Sequence, residues 1–338
     1  MKVHLQGNGR PDKAAARARE IAEVGADGLF SFEGPNDVFL PLVAAAGVSD
    51  LELMTNIAVA GPRSPLHLAH AANDLQLYSQ GRFRLGLGSQ TPAHIVKRYS
   101  GQWGKPAARM AENVEAIKAI FAAWEGNAPL SFRGEFYTHT LMTPAFDPGP
   151  NPFGSPPVLL GALGPLMTRT AAQVADGLLI HPLTSNRFFT EKTLSSYTDG
   201  LARSGRVPDD CAIMAQAMIA MGRTEHDLAS AVNGVAFQIG FYGSTPAYLP
   251  VLEQEGFADV HPALNVLSKQ GKFAEMRALI SDDMVRTFGI VGTPEECAEQ
   301  IGTRFGGHAS DVCCYFSSYT PDAADVADLV AALHRIPA

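Results

Sequence analysis

RFRLGLGSQTPAHI, residues Arg82–Ile95, is an apolar run that breaks into glycines and then into Ser89, Gln90 and His94. A dinucleotide-binding open sheet would need G-x-G-x-x-G after its first strand, with an acid about twenty residues further on. Here Thr91 stands where the third glycine should be, and the run is the fourth strand-like segment of the chain. That reading fails. On the N-terminal side, VHLQ, DGLFSF and LELMTNIAVA read as strands, separated by helical patterns over residues 12–24, 39–46 and 65–79. On the C-terminal side a helix over about 107–124 is followed by the strand PVLLGA, a helix over 165–174, the strand GLLIHP and a helix over 188–204. CAIMAQAMIAMG and SDVCCYF complete the set. Strand and helix alternate in short connections, which predicts an α/β protein with a single (β/α)8 TIM barrel rather than a doubly wound sheet. One domain over 1–338 is expected. Insertions at the carboxyl end of the strands fall at about 127–156, rich in aromatics, Gly and Pro, and at about 224–290, within a mostly helical stretch that runs on to 308.

The chain has 338 residues, 46% hydrophobic and 18% charged, enough apolar content for a sizeable core. Net charge is −8 and no Lys/Arg cluster stands out, so neither nucleic acid nor an anionic membrane is an expected partner. A small molecule is. The start, MKVHLQGNGRPDK, lacks the apolar core of a secretory signal, and no run is long enough to cross a bilayer, so a cytoplasmic protein is expected. Cys211, Cys297, Cys313 and Cys314 have neither zinc-site spacing nor disulfide density and read as buried, reduced thiols.

Active sites of this fold lie at the carboxyl ends of the strands. Those ends carry Gln6 and Asn8, Glu33, Ile57 to Gly61, then Ser89, Gln90 and His94, Gly161 to Pro165, His181, Met221 and Phe316 to Tyr319. This rim is polar and nearly neutral. It has no cluster of His, Asp and Glu to hold a metal and no nucleophile beside a base, so an enzyme built on it needs an organic cofactor. GALGPLMTRTAA puts Gly164 and Pro165 at a strand-to-helix turn, where free N–H groups can receive a phosphate, or where the pair simply ends a strand and starts a helix.

DGLFSFE, LELMTNIAVAGPRSPLHLAHAANDLQLYSQGRFRLGLGSQ, PPVLLGALGPLMTRTAAQVADGLLIHP and IVGTPEECAEQI, in that order, resemble the bacterial luciferase-like superfamily. GSQTPAHI followed by W and PAARM, GEFYTHTLMTPAFDPGP, IGFYGSTPAYLPVLE and LSKQGKFAEM are similar to its coenzyme F420-dependent branch. The resemblance implies an F420-dependent oxidoreductase with the deazaflavin ring in the mouth of the barrel. It implies a non-prolyl cis peptide backing the ring, at Ala58-Val59 in TNIAVAG, with Ala60 beside it. It implies cofactor contacts from Glu33, from Ser89, Gln90 and His94, and from Ala162, Leu163, Gly164, Pro165 and Leu166. Glu33 and His94 are the candidate catalytic groups. Gln6, Asn8, Tyr137, His139, His181 and Tyr242 are the candidate substrate contacts, and their apolar setting favours an uncharged carbonyl, alcohol or enone.

Related deazaflavin sugar-phosphate dehydrogenases carry a His after the strand-two acid and a Glu after the strand-four turn. Gly34 and Thr91 stand there, which disfavours that activity. Two alternatives stay open: an FMN-dependent monooxygenase, and a degenerate barrel that only binds or scaffolds. PLVAAAG (41–47) can pack in a homodimer or be covered within one chain.

Overall fold

The computed structural model describes residues 1–7 and 9–337. Eight strands carry the architecture: β1 (Lys2–Gln6), β2 (Gly28–Ser31), β3 (Glu52–Thr55), β4 (Phe83–Gly88), β5 (Val158–Ala162), β6 (Gly177–Ile180), β7 (Ala212–Met221) and β8 (Asp311–Tyr315). Each pairs in parallel with the next, and β8 pairs back onto β1 with Lys2 opposite Asp311 and Leu5 opposite Cys314, so the sheet closes. The helices between them are α1 (Pro11–Glu23), α2 (Leu40–Ala46), α3 (Pro65–Tyr78), α4 (Pro106–Trp124), α5 (Pro165–Val174), α6 (Leu194–Ser204), α7 (Glu225–Gly243) and α8 (Pro294–Phe305), with α9 (Ala323–Leu333) after β8. This is the (β/α)8 barrel of the sequence reading. Local chemistry sets the helix starts. Proline fills the first turn of α1, α3, α4, α5 and α8, where its missing N–H costs nothing. At α8 the Thr293 hydroxyl accepts from Glu296 N–H while the Glu296 carboxylate accepts from Thr293 N–H, a reciprocal cap written in the sequence as TPEE.

Two segments lie outside the strand–helix alternation. A small hairpin pairs Phe132–Arg133 with Thr138–His139 between α4 and β5. Between α7 and α8 four short helices pack under α7 in a second apolar cluster containing Phe288, Ile239 and Leu264. Ile290–Gly292 then adds a short parallel strand beside the end of β7. The sequence pattern places those three residues in a mostly helical stretch, because a run so short carries no period by which strand and helix can be told apart.

Side chains inside the barrel form layers. Phe30, Met54, Leu159, Leu179, Met214 and Cys313 make an apolar middle layer. Below it, at the amino end, sits a charge network that is buried at His4 and Asp311 and open to solvent at Lys2. His4 Nε2 is 2.7 Å from Asp311, Arg84 donates to Asp311 (2.9 Å) and to Glu52 (2.6 Å), and Lys2 pairs with Glu52. These groups also form part of, or border, a solvent-open hollow of about 710 Å³ at that end. His4, Glu52 and Asp311 are the group of potential metal ligands found among the described residues, but the Arg84 guanidinium already occupies the space between the two carboxylates.

Burial acts to raise the Asp311 pKa, but the hydrogen bond and charge of His4 and the charge of Arg84 outweigh it and hold the carboxyl well below its usual range. A carboxyl depressed in the folded state adds stability above its unfolded pKa of about 4, and that stability is lost as pH falls toward the folded value. Asp311→Asn, which leaves Arg84 and His4 without their shared charge, should cost about 3–5 kcal/mol at neutral pH. Urea denaturation should show the gap between wild type and variant closing on acidification. A gap independent of pH would refute this account.

Candidate active site

Inward-facing positions recur every second residue along a strand. Two residues beyond Met54, Leu159, Leu179 and Cys313 of the middle layer therefore stand Asn56, Gly161, His181 and Tyr315, and β4 presents Gly88 at the same height. Gly88 and Gly161 make room above the core for the Ile57 side chain: an added Cβ would lie 2.7 Å and 3.2 Å, respectively, from its atoms. Ile57, half-buried, leans into that space and packs on the middle layer.

Ile57 reaches this place through a bulge. Met54 pairs with Arg84 and Ala58 with Leu87, four steps on one side against three on the other, so one residue is extra. The Thr55 hydroxyl takes over the missing ladder bonds, accepting from Gly86 N–H (2.9 Å) and donating to Gly86 C=O (2.8 Å). The non-prolyl cis peptide is Asn56-Ile57, not Ala58-Val59 as the resemblance implied. The shift follows from the pairing, since Ala58 and Val59 are back in a regular parallel ladder with β4. Ala58, Val59 and Ala60 are fully enclosed, with Ala58 and Ala60 in the outer core, so the apolar side chain offered to the mouth is that of Ile57. Asn56 Oδ1 accepts from Gln216 (2.9 Å) across the barrel interior, while Asn56 Nδ2 is buried with no acceptor.

Glu33 straps this bulge in place. Its N–H donates to Ile57 C=O (3.3 Å), and its carboxylate accepts from Val59 N–H (2.7 Å), Arg63 (2.6 Å) and the Tyr99 hydroxyl (3.1 Å). With three donors on a side chain that is 6% exposed, the carboxylate braces the backbone; it is not placed as a free acid or base. Burial, and then the Glu33 charge, raise the Tyr99 pKa.

The turn after β4 places Ser89 and Gln90 next to the turn after β5, because Leu87 pairs with Leu160. Gln90 takes a left-handed conformation (φ 59°) and its side chain accepts from Thr91 N–H. His94 opens a single π-helical turn over His94–Arg98. On the β5 side, Gly164 is the N-cap of α5 and provides no side-chain cap, and a Cβ built on it would meet nothing within 4 Å. The first N–H groups of that helix face open space beside exposed Leu166, while Leu163 packs into the cluster under α7.

His181 and Tyr242 are brought together, and two tyrosines not read from the sequence join them. The His181 ring lies 4.7 Å from Tyr242 and 4.5 Å from Tyr248, and the Tyr242 hydroxyl is hydrogen-bonded to Tyr315 and Gln238. Leu183 N–H donates to His181 Nδ1 (3.1 Å), which puts the proton of the neutral ring on Nε2. Burial lowers the His181 pKa to about 3, so the ring is uncharged throughout the neutral range. Burial, then the neighbouring Tyr315 and Tyr248, raise Tyr242 well above its ordinary value. Gln6 stands at the inward end of β1; Asn8 lies outside the described residues. Tyr137 and His139 sit elsewhere. Their hairpin is tied to α4, where Glu112 accepts N–H bonds from Glu135, Phe136 and Tyr137, and no described ring contact or hydrogen bond joins them to His181. Burial lowers the His139 pKa. Tyr315 and Asn56 could have been read from strand parity, two places after the inward Cys313 and Met54; Ile57 reads as a rim residue, but its inward direction is not legible, because a bulge changes parity without a sequence mark.

A closed parallel barrel with an apolar shelf, an unpaired amide donor and a neutral aromatic cage at its carboxyl end defines a ligand-binding enzyme barrel. The sequence profile of the luciferase-like monooxygenase family matches residues 2–309. An uncharacterized protein of Mycobacterium tuberculosis is 44% identical over 93% of each chain. A 5,10-methylenetetrahydromethanopterin reductase of Archaeoglobus fulgidus is 31% identical over 70% of this chain and 68% of its own. The solved coenzyme F420-dependent tetrahydromethanopterin reductase of Methanopyrus kandleri superposes with a TM-score of 0.80, at 20% identity, over 98% of this chain and 96% of its own. The chain belongs to the luciferase-like family, on the branch whose named members include F420-dependent oxidoreductases.

Glu33→Ala removes the charged acceptor of three donors and should cost about 1.5–3 kcal/mol or more in urea denaturation, whereas Tyr99→Phe, which removes one neutral donor, should cost about 1 kcal/mol. Equal and negligible losses would show that the strap does not hold the bulge.

Proposed function

We propose that the protein is an F420-dependent oxidoreductase that moves a hydride between the deazaflavin C5 and an uncharged or apolar small molecule bearing a carbonyl, alcohol or enone. The observation that carries the substrate side is the neutral His181 inside its tyrosine cage. An imidazole with Nε2–H and a pKa near 3 can hold a substrate oxygen by a hydrogen bond, but it cannot offer a positive charge to a phosphate or carboxylate.

The residues at the mouth fit the cofactor. Ile57 offers an apolar shelf for one face of a planar ring, and the unpaired Asn56 Nδ2 donor suits a ring carbonyl. Glu33 holds the shelf rigid. Ser89, Gln90 and His94, with Gly164 and the start of α5 from Pro165 to Leu166, would receive the ribityl and phosphate portion through side-chain donors and free backbone N–H groups. When bound, F420 supplies two-electron hydride chemistry with little tendency to activate oxygen. The chain orients the substrate through His181, surrounds it with Tyr242, Tyr248 and Tyr315, and keeps water from the apolar shelf. Gln6 closes the β1 side, and Tyr137 and His139 are assigned to the outer approach.

Titrating the purified protein with oxidised F420 and, separately, with FMN should give saturable fluorescence quenching by F420 alone. Binding of FMN alone, with oxygen consumption in the presence of a flavin reductase, would favour the monooxygenase reading instead. Binding of neither would leave only the scaffold. With a cyclic ketone as the neutral ligand, His181→Phe should weaken ligand binding about tenfold, the worth of one hydrogen bond, and leave F420 affinity unchanged. Wild-type ligand affinity should show no step from this ring between about pH 5 and about pH 8. A step near pH 6.5 that disappears in the variant would overturn the neutral-donor role.

We place this single domain in the cytoplasm, where its four free, buried cysteines would stay reduced. Thiol titration of the denatured native protein should find all four free. The α2–α3 face exposes Leu40, Val43, Leu77 and Tyr78, and we assign it to a homodimer contact. Light scattering of wild type and Leu77→Asp, dimeric and monomeric respectively, checks this.

A further inference from the structure

We propose that Arg109 grips an anionic group in the tail of the cofactor, in a cleft between the turn after β4 and the first turn of α4. This rests on the F420 reading above and adds a residue and a place to it. The cleft is narrow, about 20 Å³, and is lined by Gly61, Ser89, Trp103, Gly104, Arg109 and Met110, among others. Gly61 follows the short strand after the bulge and Ser89 follows β4, so the cleft borders the segments that carry Ile57 and the β4 turn.

Arg109 is the unusual member. It is half-buried, its Nε is enclosed with no acceptor, and no carboxylate among the described residues pairs with it. Its guanidinium stacks 4.5 Å over the Phe136 ring, which fixes the plane and leaves the donor edge unused. Glu112, one turn further along α4, would be the natural partner on a helix, but its carboxylate is taken by the N–H groups of Glu135, Phe136 and Tyr137. Other half-buried arginines have acceptors: Arg63 has Glu33, Arg84 has Glu52 and Asp311, and Arg82, Arg206 and Arg304 have backbone carbonyls. Arginine stays charged in a protein, and an enclosed donor without an acceptor is costly unless a ligand brings one. A planar fork of this kind selects a phosphate or a carboxylate. The start of α4 supports the same sign of charge: Lys105 at its N-cap makes no side-chain cap, and Pro106 follows.

The test is fluorescence titration of wild type, Arg109→Met and Arg109→Lys with three deazaflavins: F420, a form truncated after the lactyl phosphate, and the riboside that lacks phosphate and tail. Arg109→Met should weaken F420 binding by about tenfold or more and leave riboside affinity unchanged, with Arg109→Lys between the two. A loss retained with the truncated form assigns Arg109 to the phosphate end; a loss that vanishes assigns it to the tail carboxylates. Either supports the grip. Equal weakening of F420 and riboside would make Arg109 merely structural, and no change with any ligand would overturn the proposal. Unchanged riboside binding also serves as the folding control. If wild type binds FMN and not F420, the F420 reading fails, and the FMN–riboflavin pair puts the same question to Arg109. Binding of none of these overturns both.

Discussion

Closing eight parallel strands on themselves forces every second side chain into a space that only a few residues deep can fill. That constraint governs the whole molecule. The first inward level holds His4, Glu52, Arg84 and Asp311, and its two carboxylates are paired with Arg84 and, from the rim, Lys2. The second, with Phe30, Met54, Leu159, Leu179, Met214 and Cys313, is apolar and filled. The third has glycine at its inward β4 and β5 positions, and Ile57 from the bulge lies over them. The charged groups sit at one end of the barrel, and neutral polar and aromatic groups sit at the other. Binding at the open end need not disturb the ionic end.

The acids of the mouth are used for structure, and the polar groups left over are neutral donors. Glu33 is consumed by Val59, Arg63 and Tyr99, and Glu112 by the hairpin. What faces the open level is an amide, an imidazole held neutral and tyrosine hydroxyls pushed away from ionisation. Such a lining discriminates by hydrogen-bond geometry and shape, with little contribution from long-range attraction.

Much of this was legible in the chain. The alternation of strand and helix predicted the closed barrel, and Phe83–Gly88 and Pro165–Val174 coincide with the segments read from their patterns. The pairing of His181 with Tyr242 could be anticipated only as shared membership of a rim, since the contact joins residues some sixty positions apart. The bulge was misplaced by two residues because an extra residue in a strand leaves the apolar pattern LELMTNIAVA unchanged while altering which side chain points inward. Arg109 was passed over because on a helix a basic residue reads as a solvated face; its lack of an acidic partner is a property of space, not of order along the chain.

The hairpin over Phe132–Arg133 and Thr138–His139 looks like a detachable ornament between α4 and β5. Its backbone is fastened to Glu112, and Phe136 lies under the Arg109 guanidinium. The loop is therefore not an exchangeable cassette. Swapping it between relatives would at the same time unseat the stacking that holds the arginine flat and leave the Glu112 carboxylate without its backbone donors.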